Sequence, residues 1–190
     1  MRSLLICLFA MTLTGCAAVV VGGAAMTAKV AHDRRSAGTF VEDQEIFLKA
    51  VEARDSEEQL RQNSDIDITV FNLHVLLTGE AANKDIVEAF RQRVAAIPRV
   101  RAVFNEVAIG AESTWGEATA DAYLTTKVKL ALFDVRIDGF DPTRVKVTSS
   151  QGSVYLMGLL TPTEADAVTE KTRFVSGVKR VVKLFEYIDE

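Results

Sequence analysis

A five-residue strand pattern occurs twice in this chain, and a duplication limits the possible folds more than any other feature does. Val75-Leu76-Leu77-Thr78-Gly79 and Val154-Tyr155-Leu156-Met157-Gly158 are both short apolar strands closed by glycine, and 79 residues separate the two glycines. Each strand leads into a helical segment and then a second match, Val100-Arg101-Ala102-Val103 in the first copy and Val178-Lys179-Arg180-Val181 in the second. The chain is therefore predicted to contain two copies of one small unit.

The first copy reads in order as follows. Asp43 is the expected N-cap of a helix whose apolar face carries Ile46, Phe47, Ala50 and Val51. Ile66, Ile68 and Val70 alternate with polar residues as a half-buried strand, and Phe71-Asn72-Leu73-His74 contains the reversal into Val75–Gly79. Asn83 opens a helix carrying Ile86, Phe90 and Val94, which ends before Pro98, and Val100–Ile109 supplies the last strand. In the second copy a helix spans about Thr119 to Phe133, and Val145 and Val147 enter a hairpin that turns at Ser149-Ser150-Gln151-Gly152. Thr161-Pro162-Thr163-Glu164 is a capping box, Gly177 is placed to cap the end of its helix, and Val178–Ile188 is the closing strand. The predicted fold is α+β. Two tandem αββαβ units each form a two-layer sandwich of a three-stranded mixed sheet and two helices, with a right-handed strand–helix–strand crossover. Units of about 70 residues lie near the lower limit for a self-sufficient core, so the copies are expected to touch.

The first 15 residues do not belong to either copy. Arg2 precedes the apolar run Leu4–Met11, too short to span a bilayer, and the pattern is that of a secretory signal. Leu13-Thr14-Gly15-Cys16 resembles the bacterial lipobox, in which the cysteine is lipidated and the precursor is cut before it. Cys7 would leave with the signal and Cys16 would carry lipid, so no thiol would remain for a disulfide, a metal or catalysis. A lipid anchor changes the expected state from soluble to membrane-attached. Ala17 follows the cysteine, where aspartate would favour retention in the inner membrane, and by that resemblance the destination is the periplasmic face of the outer membrane. The uncharged stretch Ala17–Ala28 reads either as a flexible leash or as a segment lying on the lipid surface. The expected divisions are signal peptide 1–15, lipidated terminus and tether 16–42, first unit 43–109, linker 110–117 and second unit 118–190.

The repeated unit resembles the BON domain. The resemblance is carried most specifically by Tyr123-Leu124-Thr125-Thr126-Lys127-Val128, Val154-Tyr155-Leu156-Met157-Gly158-Leu159 and Val175-Ser176-Gly177-Val178-Lys179-Arg180-Val181, and Asp33–Thr39 in the tether also fits. Two such units behind a lipobox are similar to the dual BON-domain outer-membrane lipoproteins. That resemblance implies a protein that maintains envelope integrity and recognises anionic phospholipid through the first helix of its second domain and the segment leading into it, here Trp115 and Gly116 through Phe133.

The residues of that helix agree. Ala120, Leu124, Val128, Ala131 and Leu132 form one stripe, while Tyr123, Leu130 and Phe133 fall towards the other side, flanked by Lys127 and Lys129. This surplus of apolar residues edged with lysine suits an interfacial helix, and it equally suits packing against the first unit. The expected phospholipid contacts are Trp115, Gly116, Tyr123, Leu124, Lys127, Lys129, Leu130 and Phe133. Charge is consistent with this placement. Residues 36–112 hold eight Lys/Arg and fourteen Asp/Glu, whereas 113–190 hold ten and eleven, so the second half is the one better suited to an anionic surface.

Nothing points to catalysis, a cofactor or a metal: the two histidines, His32 and His74, are far apart and read as solvated, and no phosphate loop or ligand cluster is present. A net charge of −4 argues against nucleic acid. The competing function is an adaptor, a lipid-anchored module that binds a periplasmic protein of outer-membrane assembly or cell-wall remodelling through the acidic first unit, along Glu57-Glu58 and Asp65–Asp67.

Overall fold

The computed structural model describes residues 34–110 and 115–189, with residues 115–118 described as backbone only. The signal, Cys16 and most of the tether lie outside the described residues. In the first unit α1 (Ala37–Asp55) and the short α2 (Glu58–Asn63) precede β1 (Ser64–Phe71), β2 (His74–Ala81), α3 (Lys84–Ala95), β3 (Ala102–Asn105) and β4 (Ala108–Ile109). In the second, α4 (Trp115–Leu132) and a 3-10 turn (Pro142–Arg144) precede β5 (Lys146–Ser150), β6 (Ser153–Leu160), α5 (Pro162–Arg173) and β7 (Arg180–Tyr187).

The repeated strand is the centre of each sheet. β2 pairs antiparallel with β1, Ile68 opposite Leu77, and parallel with β3, Val75 opposite Val103. β6 does the same between β5 and β7, with Val147 opposite Leu156 and Val154 opposite Val181. A central strand covered on both faces needs an unbroken apolar run. Val75 and Leu77 face the helices with Ile46, Ile66 and Phe90, while Leu76 faces the other way with Phe71, Tyr155 and Met157. Leu156 faces the second pair of helices with Leu124, Val128, Leu132 and Val168. The two sheets thus pack on each other, and the molecule has four layers: helices, sheet, sheet, helices.

The packing is symmetric to a first approximation. The hydroxyls of Thr69 and Thr148, 79 positions apart and so counterparts in the duplication, are 3.2 Å from each other. A residue that touches its own counterpart lies on a twofold axis. Polar contacts close the rim: Asn72 donates to Glu186 at 2.6 Å, Arg180 to Glu106 at 2.8 Å, and Gln151 to the buried Glu80.

Several sequence expectations need correction. The first helix begins at Ala37 and is capped by Ser36, whose hydroxyl accepts from the Thr39 amide at 3.0 Å. Asp43 is not a cap; it is buried within α1 and accepts from the hairpin amides of Asn72 at 2.8 Å and Leu73 at 2.7 Å. The last strand of the first unit is interrupted between β3 and β4, where the Asn105 side chain takes the Val107 amide, and it resumes in the same register on β2. Gly177 follows α5 by several residues, and Phe174 is the cap. The capping box at Thr161 and Glu164 forms as expected.

Candidate functional site

α4 has a buried stripe and an exposed one. Leu124, Val128 and Leu132 are sealed against the sheet, so Leu124, expected among the lipid contacts, belongs to the core. The opposite side carries Tyr123, Leu130 and Phe133, which are 67%, 64% and 63% exposed. Large apolar side chains left this open on one face of a helix mark a contact surface more often than a folding requirement. Trp115 and Gly116 form the first turn of the helix; their side chains lie outside the described residues.

Two polar side chains fix α4 on its sheet. The Asp121 carboxylate accepts from the hairpin amides of Gln151 at 2.6 Å and Gly152 at 3.0 Å, and the Thr125 hydroxyl donates to Ser149 at 2.9 Å. Lys127 reaches along the helix, donating to the Ser176 carbonyl with its ammonium 5.5 Å from the centre of the Tyr123 ring. Lys129 and Phe133 are placed differently. They line a groove of about 560 Å³ between the units, facing Phe40, Phe47 and Ile68 of the first unit. Tyr123 and Leu130 therefore front solvent, while Phe133 stands at the mouth of the inter-unit groove.

Phe174 is the residue that sequence reasoning missed. It caps α5, is 71% exposed, and its ring lies 4.5 Å below the Arg173 guanidinium. The available signal was an Arg-Phe pair directly after Thr172, the last buried position of the helix. Phe174 is two residues from the carbonyl that Lys127 holds, so an exposed aromatic and a cation join the same side of the second unit.

The segment before α1 is anchored on both units. Arg34 donates to Glu164 at 2.5 and 2.9 Å and to the Leu159 carbonyl at 2.9 Å, all in the second unit. Burial alone would raise the Glu164 carboxyl, but Arg34, the Thr161 amide and Arg144 outweigh it and hold the carboxyl below the usual range. Arg35 pairs with Asp43 at 2.5 Å and lies 4.1 Å over the Phe71 ring. The part of the tether from Arg34 onwards therefore packs on the two units. His74 is not solvated: it stacks on Phe104 at 5.9 Å, and Nδ1 lies 3.0 Å from the Asn72 carbonyl and 3.2 Å from Glu186. Among the described residues no group of His, Cys, Asp and Glu could hold a metal ion, and no helix is long and apolar enough to cross a membrane.

Two αββαβ sandwiches, each with its repeated glycine-closed strand at the centre, define the class. The BON domain matches residues 49–111 and 120–189, and the chain belongs to that family. Over 178 residues, 93% of this chain and 91% of the relative, it is 34% identical to Outer membrane lipoprotein DolP of Haemophilus influenzae. It is 33% identical to the 21 kDa hemolysin of Actinobacillus pleuropneumoniae over 159 residues, 82% of this chain and 79% of the relative. Among solved structures, the C-terminal domain of CdsD, the structural protein of the type III secretion system of Chlamydia trachomatis, aligns over 76% of this chain and 98% of its own, with 12% identity and a TM-score of 0.31. The chain is thus a dual BON-domain protein of the DolP type.

Proposed function

We propose that the protein is held by lipid on Cys16 at the periplasmic face of the outer membrane, and that it supports envelope integrity by binding anionic phospholipid through α4 of its second BON domain. The observation that carries this reading is the exposure of Tyr123 and Leu130 on one stripe, opposite a sealed core stripe and beside Lys127. Aromatic and aliphatic side chains at headgroup depth gain from leaving water, and each lysine near an anionic surface adds about 1 kcal/mol. The name of the Haemophilus influenzae relative supports the location, and the lipobox at Leu13–Cys16 supports the anchor.

The test is co-sedimentation of the unlipidated mature chain, residues 17–190, with phosphatidylglycerol or phosphatidylcholine vesicles. The chain is expected to pellet with the first and not the second. Replacing both Tyr123 and Leu130 by serine should abolish that binding while changing stability by no more than about 0.5 kcal/mol each, since both are surface positions. Vesicle binding that survives the double substitution removes α4 from the mechanism. Failure to bind either vesicle favours the adaptor.

A further inference from the structure

The duplication supplies two counterpart sheet edges, and they end differently. In the first unit the outer edge is β3–β4. There the Glu106 amide donates to the Leu77 carbonyl of β2 at 2.9 Å, and the next amide, that of Val107, is taken by the Asn105 side chain at 3.2 Å. An amide that an added strand would need is thereby closed off, and the edge is blunted at its middle. In the second unit the outer edge is β7, an unbroken strand from Arg180 to Tyr187. One side of β7 is paired with β6 along its whole length, Ser153 opposite Arg180 through Leu160 opposite Tyr187. Its other side pairs with no strand among the described residues. Alternate residues of such a strand turn their N–H and C=O groups away from the sheet, where they template a further chain.

The side chains along β7 limit what fits there. Successive residues point to opposite faces. Val182 and Leu184 face the layer between the sheets together with Phe104 of the neighbouring edge, and all three are only half-buried. Val181 and Phe185 face the helices; Lys183 between them is exposed, and so is Tyr187 at the end of the strand. The acidic groups nearby are already engaged. Glu186 accepts from Asn72 at 2.6 Å and lies 3.2 Å from His74, and Glu106 pairs with Arg180 at 2.8 Å. Lys183 thus stands at the middle of an open, largely apolar edge.

We propose that the β7 edge receives an extended acidic segment of a partner protein, added as a fourth strand to the second sheet. Apolar residues of that segment lie beside Val182, Leu184 and Phe104, and the alternate residues, on the other face, bring a carboxylate to Lys183. A second copy of this chain would bring a second Lys183 to the same edge, so the lysine that attracts an acidic strand also discourages self-pairing. The surface is separate from α4, which is fastened to β5 at the opposite side of the sheet. A partner on β7 therefore leaves α4 uncovered.

The unlipidated mature chain, residues 17–190, is titrated with a peptide of about ten residues that alternates valine with glutamate, and with one that alternates valine with lysine. Backbone amides are followed by NMR shifts and by hydrogen exchange. The acidic peptide is expected to shift the amides of residues 181–185 in a saturable way and to slow the exchange of those on the outer side, with residues 102–109 unchanged. The basic peptide is expected not to bind. Lys183→Glu, at an exposed position, should weaken the acidic peptide by about tenfold or more and admit the basic one. Methylating the amide nitrogens of all the valines in the acidic peptide, or of all its glutamates, separates backbone pairing from charge, because only one of the two sets faces β7. One methylated peptide should bind and the other should not. Binding of both, or equal binding of the acidic and basic peptides, overturns the added strand. Slow exchange along β7 in the chain alone, with a dimer in sedimentation, assigns the edge to a second copy and overturns the partner.

Discussion

Asp43 and Asp121 show how one residue can set the geometry of a whole unit. Each sits on the first helix of its unit, and each carboxylate accepts the two consecutive amides of the hairpin between the first and second strands. Both hairpins turn through two residues of positive φ: Asn72 at 49° and Leu73 at 67° in the first, Gln151 at 52° and Gly152 at 77° in the second. Leucine is an uncommon choice for that conformation, and the Asp43 carboxylate is what holds it there. The two sites differ in one respect. Asp43 also neutralises Arg35, whose side chain is only 8% exposed, whereas the partners of Asp121 are turn amides. Asp43→Ala is therefore expected to cost about 3–5 kcal/mol, the range for removing one partner of a buried ion pair. Asp121→Ala should cost about 1–3 kcal/mol for amides left unsatisfied. Urea unfolding of the two variants measures the difference, and an equal cost would mean that the Arg35 pair contributes nothing. The sequence showed a carboxylate ahead of an apolar helical face and read Asp43 as the N-cap, which the structure overturns because Ser36 holds that position. The local rule assigned the carboxylate to its own helix because a hairpin 29 residues away has no signature at that position.

At the scale of elements, the glycine that closes the repeated strand is not equivalent in the two copies. Gly79 has φ at +101°, and a Cβ there would lie 2.0 Å from the Asp65 carbonyl on the neighbouring strand. Gly158 has ordinary backbone geometry, and its added Cβ would be 3.1 Å from the Arg144 carbonyl. Gly79→Ala should thus destabilise the protein by more than about 1–3 kcal/mol, through strain and displacement of β1 together, and Gly158→Ala by clearly less. Thermal midpoints of the two variants, compared with the parent, check the order; the reverse ranking would contradict the assigned conformations. The repeat made the central strands legible, and their alternation with amphipathic segments made the element order legible too. The break between β3 and β4 was not, because it depends on one asparagine side chain taking a backbone amide. The split of α4 into a sealed and an open stripe could be read from spacing. Leu124, which the spacing put in the packing stripe and which was also counted among the lipid contacts, lies in the sealed stripe, where it meets the turn at Gly177 and is closed over. Phe174 was hidden by the expectation that α5 continued to Gly177, which made it an interior residue of the helix.

For the whole molecule, the consequential feature is that the sheets are back to back. Sequence indicated that two small units should touch, but the contacting faces follow from the apolar run of the repeated strand, which leaves Leu76, Tyr155 and Met157 with no helix to cover them. Each unit supplies the missing layer of the other. Polar contacts reinforce this at the edges, including Arg180 with Glu106 and the reach of Arg34 across to Glu164. Burial and the nearby Glu106 raise the Tyr155 hydroxyl above its usual value, so it stays protonated and able to donate at neutral pH. Separating the units would expose an aromatic and aliphatic sheet face on both, so neither is expected to persist alone. The described chain should therefore unfold in a single transition, with calorimetric and van't Hoff enthalpies equal. Leu76→Asp, which places an unpaired charge between the sheets, should lower the midpoint of that one transition sharply, because the stability of both units depends on the same contact. Two resolved transitions in the parent chain would show that the sheets part before either unit melts. In that event α4 and the segment at Arg34, which is fastened to the second unit, would no longer be held in a fixed orientation to the first.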